Sequence, residues 1–175
     1  MRRSAPSSAT SPRAGRGLSF GVFLGAALLA FGAAPASAQN RVRITKLSDV
    51  AFGSLSNLGA DAVQAQSICV FSRTATRGYN VRATGSAPGN ALALVSGSNL
   101  LAYEVQWNQL SGQSSGTQLT SGVTLTGQIS AATQQTCNSG PSTSASLILI
   151  LRSTALSNAS AGSYSGTLTL VLGPE

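Results

Sequence analysis

The sequence predicts an all-β fold, an antiparallel β-sandwich, on three observations. Apolar and polar residues alternate through segments of five to nine residues, as in strands that bury one face and expose the other. Stretches rich in Gly, Ser and Asn separate these segments at intervals of roughly ten residues. No segment after residue 38 repeats its apolar residues with a helical period.

Residues 1–38 are predicted to be a secretory signal peptide that is removed from the folded protein. Residues 1–17 contain four arginines and no acidic residue, and an uncharged apolar run follows from Leu18 to Ala34. The alternative is an uncleaved membrane anchor, but the run is short for a span of about 20 residues. An Ala-x-Ala signal at residues 36–38 favours cleavage before Gln39. Residues 39–175 are then one exported domain of 137 residues, with membrane contact only during export.

The first five strands are expected in the N-terminal half of that domain. Alternation predicts four of them, at 41–45, 47–55, 63–71 and 79–84, the second of which includes Val50, Phe52 and a turn at Gly53. A short apolar segment predicts the fifth, at 91–95.

Four further strands are expected in the C-terminal half. Alternation predicts them at 101–108, 123–129 and 164–172, and the continuous apolar run Leu147–Leu151 predicts one that is covered on both faces. The last strand has its apolar side chains on one face, at Tyr164, Leu168, Leu170 and Leu172. Two stretches rich in Ser, Thr, Gln and Gly, 108–122 and 130–146, are expected to be surface loops.

The two cysteines, Cys69 and Cys137, are predicted to form a disulfide because an exported chain reaches an oxidising compartment. The bond would hold the 130–146 loop. The chain has no histidine and no third cysteine, so a zinc site built from thiolates or imidazoles cannot be completed. We expect no metal site and no cofactor.

Charge argues against nucleic acid as a partner. Residues 39–175 contain seven basic and four acidic residues, a net charge of +3, and aromatic residues do not interleave with a basic stripe. Arg41, Arg43 and Lys46 could bind an acidic surface, although the solvated face of one strand is the simpler interpretation.

An enzyme is not expected, and no catalytic residue is predicted. Residues 112–116 fit the G-x-S-x-G pattern of hydrolases, but the pattern lies in a polar loop and a histidine base is lacking. Sequence leaves open a carboxylate pair of Asp61 and Glu104. Tyr103 and Trp107 could form a sugar-binding platform, but two aromatic residues on one strand face favour the core.

Several fragments, in this order and spacing, resemble the spore coat protein U domain, a family related to pilin subunits of the archaic chaperone–usher pathway. The fragments are Asp49–Gly53, Ser67–Val70 leading to Tyr79–Val81, Leu101–Val105 and Ala161–Leu170, and the similarity spans most of residues 44–172. The resemblance implies an immunoglobulin-like antiparallel β-sandwich that lacks its final strand.

The same resemblance implies a structural subunit of a surface pilus or coat, with a role in cell adhesion. A periplasmic chaperone and then a sister subunit would supply the missing strand by donor-strand complementation, and an outer-membrane usher would export the subunit. The strand from Tyr164 to Leu172 would border the acceptor groove. This would explain how a core strand can lie so near Glu175: an apolar-faced edge needs cover from another strand.

Two alternatives remain open at the level of sequence. Val42 and Ile44 alternate as a donor strand would, but the same residues could form the domain's own first strand. The runner-up function is a self-contained, secreted lectin-like binding module or adhesin that uses loops around 108–122.

Overall fold

The computed structural model describes residues 40–175, so the predicted signal peptide lies outside the described residues. The described part is almost entirely β, with one short helix, α1 (Ser153–Leu156), and a single 3-10 turn at Pro88–Asn90. The strands in chain order are β1 (Arg41–Thr45), β2 (Ala62–Arg73), β3 (Gly78–Gly85), β4 (Ala93–Ser96), β5 (Asn99–Ala102), β6 (Glu104–Asn108), β7 (Thr117–Leu119), β8 (Thr124–Ile129), β9 (Ala145–Leu151) and β10 (Leu168–Pro174).

A five-stranded antiparallel sheet forms one layer, in the order β1-β2-β9-β6-β7. The long strand β2 has two partners: its first half pairs with β9, and its second half pairs with β1. The central strand β9 is buried along its whole length, as its unbroken apolar run predicts.

A three-stranded antiparallel sheet, in the order β10-β3-β8, forms the second layer. Pairing of β3 with β8 shifts register between Tyr79 and Val81, where Gly127 has a φ of 72°. A positive φ at glycine is the usual geometry of such a bulge, because no Cβ obstructs it. The hairpin of β4 and β5 stands beside this sheet, and Val95 forms an isolated bridge with Ser165.

The two layers share one hydrophobic core, so the predicted all-β antiparallel sandwich is confirmed. Tyr79 and Val81 from the three-stranded sheet pack in the same cluster as Val105 and Trp107 from the five-stranded sheet. Tyr103 and Trp107 are 6% and 1% exposed, which places both in the core and removes them as a sugar-binding platform.

The predicted disulfide between Cys69 and Cys137 is confirmed. It forms a small second cluster with Ala132 and Phe71 on the outer side of β2. The loop that it holds, 130–144, lies against β2 through serine hydroxyls: Ser130 and Ser144 both donate to the carbonyl of Val70. The prediction of a simple surface loop was therefore wrong at its ends, since Ser130, Ser144 and Ser146 are buried.

Three predicted strands differ from the observed ones. Residues 47–55 form no strand. The predicted strand 101–108 is divided at Tyr103 into β5 and β6. The last strand begins at Leu168 rather than Tyr164, because Ser165 pairs with Val95 and the amide of Thr167 donates to the hydroxyl of Ser86. In each case, hydrogen bonds to distant parts of the chain override local alternation.

No helix among residues 40–175 has the length and apolar character needed to cross a membrane.

Candidate functional site

A groove with an apolar floor lies between β10 and segment 47–58, and we call it the β10 groove. Its volume is about 1030 Å³. One wall comes from residues 159–170, which lead into β10, and the other wall comes from segment 47–58.

The floor of the β10 groove is the core of the sandwich. Leu147, Leu149 and Leu151 reach it from β9 because they lie two residues apart and therefore share one face of that strand. Leu101, Tyr103 and Leu156 complete the floor, and all six side chains are less than 10% exposed. Burial raises the pKa of the Tyr103 phenol, so this side chain remains neutral in the floor.

Strand β10 supplies both side chains and a backbone edge to the first wall. Of the residues predicted to border a groove, Tyr164, Leu168 and Leu170 line it, whereas Leu172 lies beyond it on the same strand face. Within residues 40–175, β10 pairs only with β3, and β10 is therefore an edge strand of its sheet. Every second backbone amide and carbonyl of β10 is thus free to pair with a further strand.

The second wall, segment 47–58, is anchored but not part of a sheet. The side chain of Gln66 accepts a hydrogen bond from the Ser48 amide at 3.0 Å and donates one to the Ser48 carbonyl at 3.1 Å. Val50, Phe52 and Leu55 pack against the core, whereas Leu47 and Leu58 are 46% and 41% exposed. The two walls therefore carry both apolar and polar side chains, and they are not joined to each other by strand pairing.

The groove is suited to an extended, uncharged segment of polypeptide. Among the described residues that line it, Asp49 alone carries a charge. Apolar side chains alternate along β10, so a partner strand beside it would place every second side chain over the leucine floor.

The possible donor residues Val42 and Ile44 lie elsewhere. They belong to β1, which pairs with β2 in register Val42↔Ser72 and Ile44↔Val70. Both side chains pack against the core from the five-stranded sheet. In this structure they form the domain's own first strand.

Asp61 and Glu104, the possible carboxylate pair, are brought together by a cation. Arg152 forms ion pairs with both, at 2.8 Å to Asp61, on the outer face of the five-stranded sheet. A hydrogen bond from the Ser153 amide, helped by Arg152, holds the pKa of Asp61 below its usual value. The arrangement fixes the start of α1.

The G-x-S-x-G stretch forms hydrogen bonds that hold its loop in place. The amide of Gly112 donates to the hydroxyl of Ser67, and the amide of Gln113 donates to that of Ser146. These bonds fold the loop over the outer face of the five-stranded sheet, on the opposite side of β9 from the groove floor.

Sequence reasoning missed the role of segment 47–58, of which residues 47–55 were expected to form a strand. The available signal was Val50, Phe52 and Leu55: their spacings of two and three residues fit neither strict alternation nor a helix. Such spacing is consistent with a segment that packs apolar side chains against the core without pairing as a strand.

The sequence matches no protein-family model and no curated protein. Among solved structures, it is similar to a chain of a chaperone–tip adhesin complex of CFA/I fimbriae, with 17% identity and a TM-score of 0.47, over 78% of this chain and 41% of that chain. It is also similar to a chain of the CsuC–CsuE chaperone–tip adhesion subunit pre-assembly complex from the archaic chaperone–usher Csu pili of Acinetobacter baumannii. There the identity is 22% and the TM-score 0.43, over 76% of this chain and 39% of that chain.

The chain spans less than half the length of these two solved chains. Both TM-scores lie below 0.5 and both identities below 25%, so neither likeness assigns a function to this protein.

Proposed function

We propose that this protein is an exported structural subunit of a surface pilus or coat, and that its β10 groove accepts a strand from another polypeptide. The open edge of β10 beside an apolar floor is the observation that carries the proposal. An apolar-faced edge strand exposed to water invites non-specific association unless another strand covers it.

Strand addition fits the groove both in hydrogen bonding and in shape. Backbone groups along the edge of β10 would supply the affinity, and alternate side chains of the incoming strand would enter the space above Leu147, Leu149 and Leu151. We infer that the first occupant is a strand of a periplasmic chaperone and that a strand of a sister subunit replaces it, with an outer-membrane usher as the export partner.

The resemblance to the spore coat protein U domain supports the same assignment, because it implies a sandwich that lacks its last strand. In this proposal, Val42 and Ile44 belong to the domain's own first strand. The segment that contains them therefore does not act as a donor strand for another subunit. Residues 1–38 act as the export signal.

The proposal can be tested by supplying the missing strand within the same chain. A hairpin extension after Glu175 would add an Asn-Gly turn and a nine-residue strand of alternating Val and Thr, running antiparallel to β10. With Val directed at the groove floor, we expect the free energy of unfolding to rise by roughly 2 kcal/mol or more, because several apolar side chains become buried. Urea denaturation followed by Trp107 fluorescence would measure the change.

The matched control is the same extension with Val and Thr exchanged at every position. This exchange turns all the Val side chains towards solvent, as a one-residue slip in register would. Equal stabilisation by both extensions, or by neither, would contradict the proposal that the β10 groove accepts a strand.

A further inference from the structure

Four exposed arginines lie together on the outer face of the five-stranded sheet, and we call this region the arginine face. It comprises Arg41 and Arg43 in β1, Arg73 at the end of β2 and Arg77 in the turn that follows. Arg41 and Arg43 are two residues apart on one strand and therefore project from the same side. Val42 and Ile44 occupy the other side of β1 and face the core.

The strand register places like charges opposite each other. Arg41 pairs directly with Arg73, and Arg43 pairs with Phe71, which lies on the same face as Arg73. Like charges directly opposite each other in an antiparallel pair are destabilising. Two salt bridges occur within residues 40–175, and both belong to Arg152, so no described carboxylate offsets this repulsion by ion pairing.

The acidic side chains of the domain form no ion pair with the arginine face. Asp61 and Glu104 bind Arg152, and Asp49 lines the β10 groove. The backbone of Glu175 lies beside Thr76 and Gly78, but its side chain accepts a hydrogen bond from the Gly127 amide at 2.7 Å. The nearby cation Lys46 is also engaged, since its ammonium group donates to the carbonyls of Cys137 and Ser142.

A surface pocket of about 500 Å³ lies within the arginine face, and its lining includes Arg73, Arg77 and Phe71. The hydroxyls around it donate inside the protein: Ser72 and Thr74 to the Gly78 carbonyl, and Thr133 to the Ser139 carbonyl. The guanidinium groups, each with five N–H donors in a planar fork, are therefore the groups that can bind an oxyanion there.

We propose that the arginine face binds an acidic polysaccharide, with one carboxylate or sulfate group of the polymer held between Arg73 and Arg77. A flexible polyanion matches the three charges that strand geometry spaces at about 5–7 Å, on Arg41, Arg43 and Arg73, and can bend to reach Arg77 in the turn. No exposed large apolar side chain lies within 41–45 or 69–77 to enter a lipid layer.

Binding of the purified protein to three polymers tests the proposal: dextran sulfate, polygalacturonate and neutral dextran, at low and at physiological salt. We expect binding to at least one of the two acidic polymers and none to neutral dextran, and the tighter of the two acidic polymers identifies sulfate or carboxylate as the ligand. Changing all four arginines to glutamine should raise the dissociation constant by about tenfold or more. A protein with fewer cations displaces fewer counterions from the polymer when it binds.

A matched pair of single variants distinguishes binding by the arginine face from a general effect of the protein's net charge. Arg82 is an exposed arginine on the other sheet, so Arg82→Gln removes the same charge from a different place. Arg73→Gln should weaken binding several-fold more than Arg82→Gln does. Neither variant should lower the melting temperature, and both should keep the response to the hairpin extension after Glu175, which reports on the β10 groove separately.

Three results would overturn the proposal. They are no binding to either acidic polymer at low salt, equal weakening by Arg73→Gln and Arg82→Gln, and tighter binding to duplex DNA or to anionic phospholipid vesicles than to both polysaccharides.

Discussion

At the scale of single residues, the contact between Tyr79 and Trp107 joins the two layers of the sandwich. The indole N–H of Trp107 donates to the Tyr79 hydroxyl at 3.1 Å, and the rings meet edge to face with centroids 6.2 Å apart. Burial raises the pKa of Tyr79 to about 12, against the smaller opposing effect of the bond from Trp107. The two residues lie 28 positions apart, so alternation alone could place each in the core but could not pair them.

The alkaline stability of the protein should report on Tyr79. In the unfolded chain this phenol ionises near its ordinary pKa of 10.0, whereas in the fold it keeps its proton to about pH 12. The stability due to the neutral phenol is therefore complete below pH 10 and is lost as pH rises from 10 to 12, by roughly 1 kcal/mol at pH 11. Urea denaturation at pH 7, 10 and 11 would measure the loss.

Tyr79→Phe is the matching variant, since it keeps the ring and removes only the hydroxyl. It should be less stable at pH 7 by about 1–3 kcal/mol, because the buried Trp107 N–H loses its acceptor. Its free energy of unfolding should also fall less than that of the native protein as pH rises from 10 to 12, because it has no Tyr79 phenol to ionise. Some decline should remain in both proteins, because Tyr103 still titrates. An identical alkaline decline in the two proteins would contradict this explanation.

At the scale of elements, the disulfide holds the 130–144 loop against β2. The Cys69–Cys137 bond spans 68 residues of chain and joins β2 to this loop, and the hydroxyls of Ser130 and Ser144 add bonds to the same strand. The sequence predicted the bond from the export context and the count of two cysteines. It could not predict the buried serines, because their partner is a backbone carbonyl about 60 or more residues away.

Removing the disulfide should destabilise the protein by about 4 kcal/mol, the loop-closure entropy expected for a loop of this length. The double variant Cys69→Ala/Cys137→Ala, compared with the native protein by guanidinium denaturation without reductant, would measure the loss. Reducing agent should weaken the native protein and leave the variant unchanged. A difference below about 1 kcal/mol would mean that the serine hydrogen bonds hold the loop without the disulfide.

The strands also show how much of the fold can be predicted from the local alternation of apolar and polar residues. Alternation predicted the residues of β1, β2, β3 and β8 to within a few positions, because one face of each packs against a shared core. It failed for 47–55 and for 164–167. There, Gln66 holds Ser48, and Val95 pairs with Ser165, through contacts that local sequence does not contain.

At the scale of the whole molecule, the sandwich is open along the edge of β10. β1 and β10 are edge strands of the two sheets and approach each other without pairing, and β10 borders the groove with a backbone edge that no described strand covers. Part of this site could be predicted: Tyr164, Leu168 and Leu170 follow from alternation, and the need for cover follows from an apolar edge. The opposite wall could not be predicted, because its position depends on contacts with β2 and the core.

Hydrogen exchange of the backbone amides from Leu168 to Leu172, measured by NMR on the monomeric protein, tests the open edge of β10 most directly. The proposed strand-accepting groove predicts that every second amide exchanges rapidly in the protein alone and becomes protected when the hairpin extension supplies the missing strand. Uniformly slow exchange along β10 in the unextended monomer would contradict it, because the edge would then already be covered.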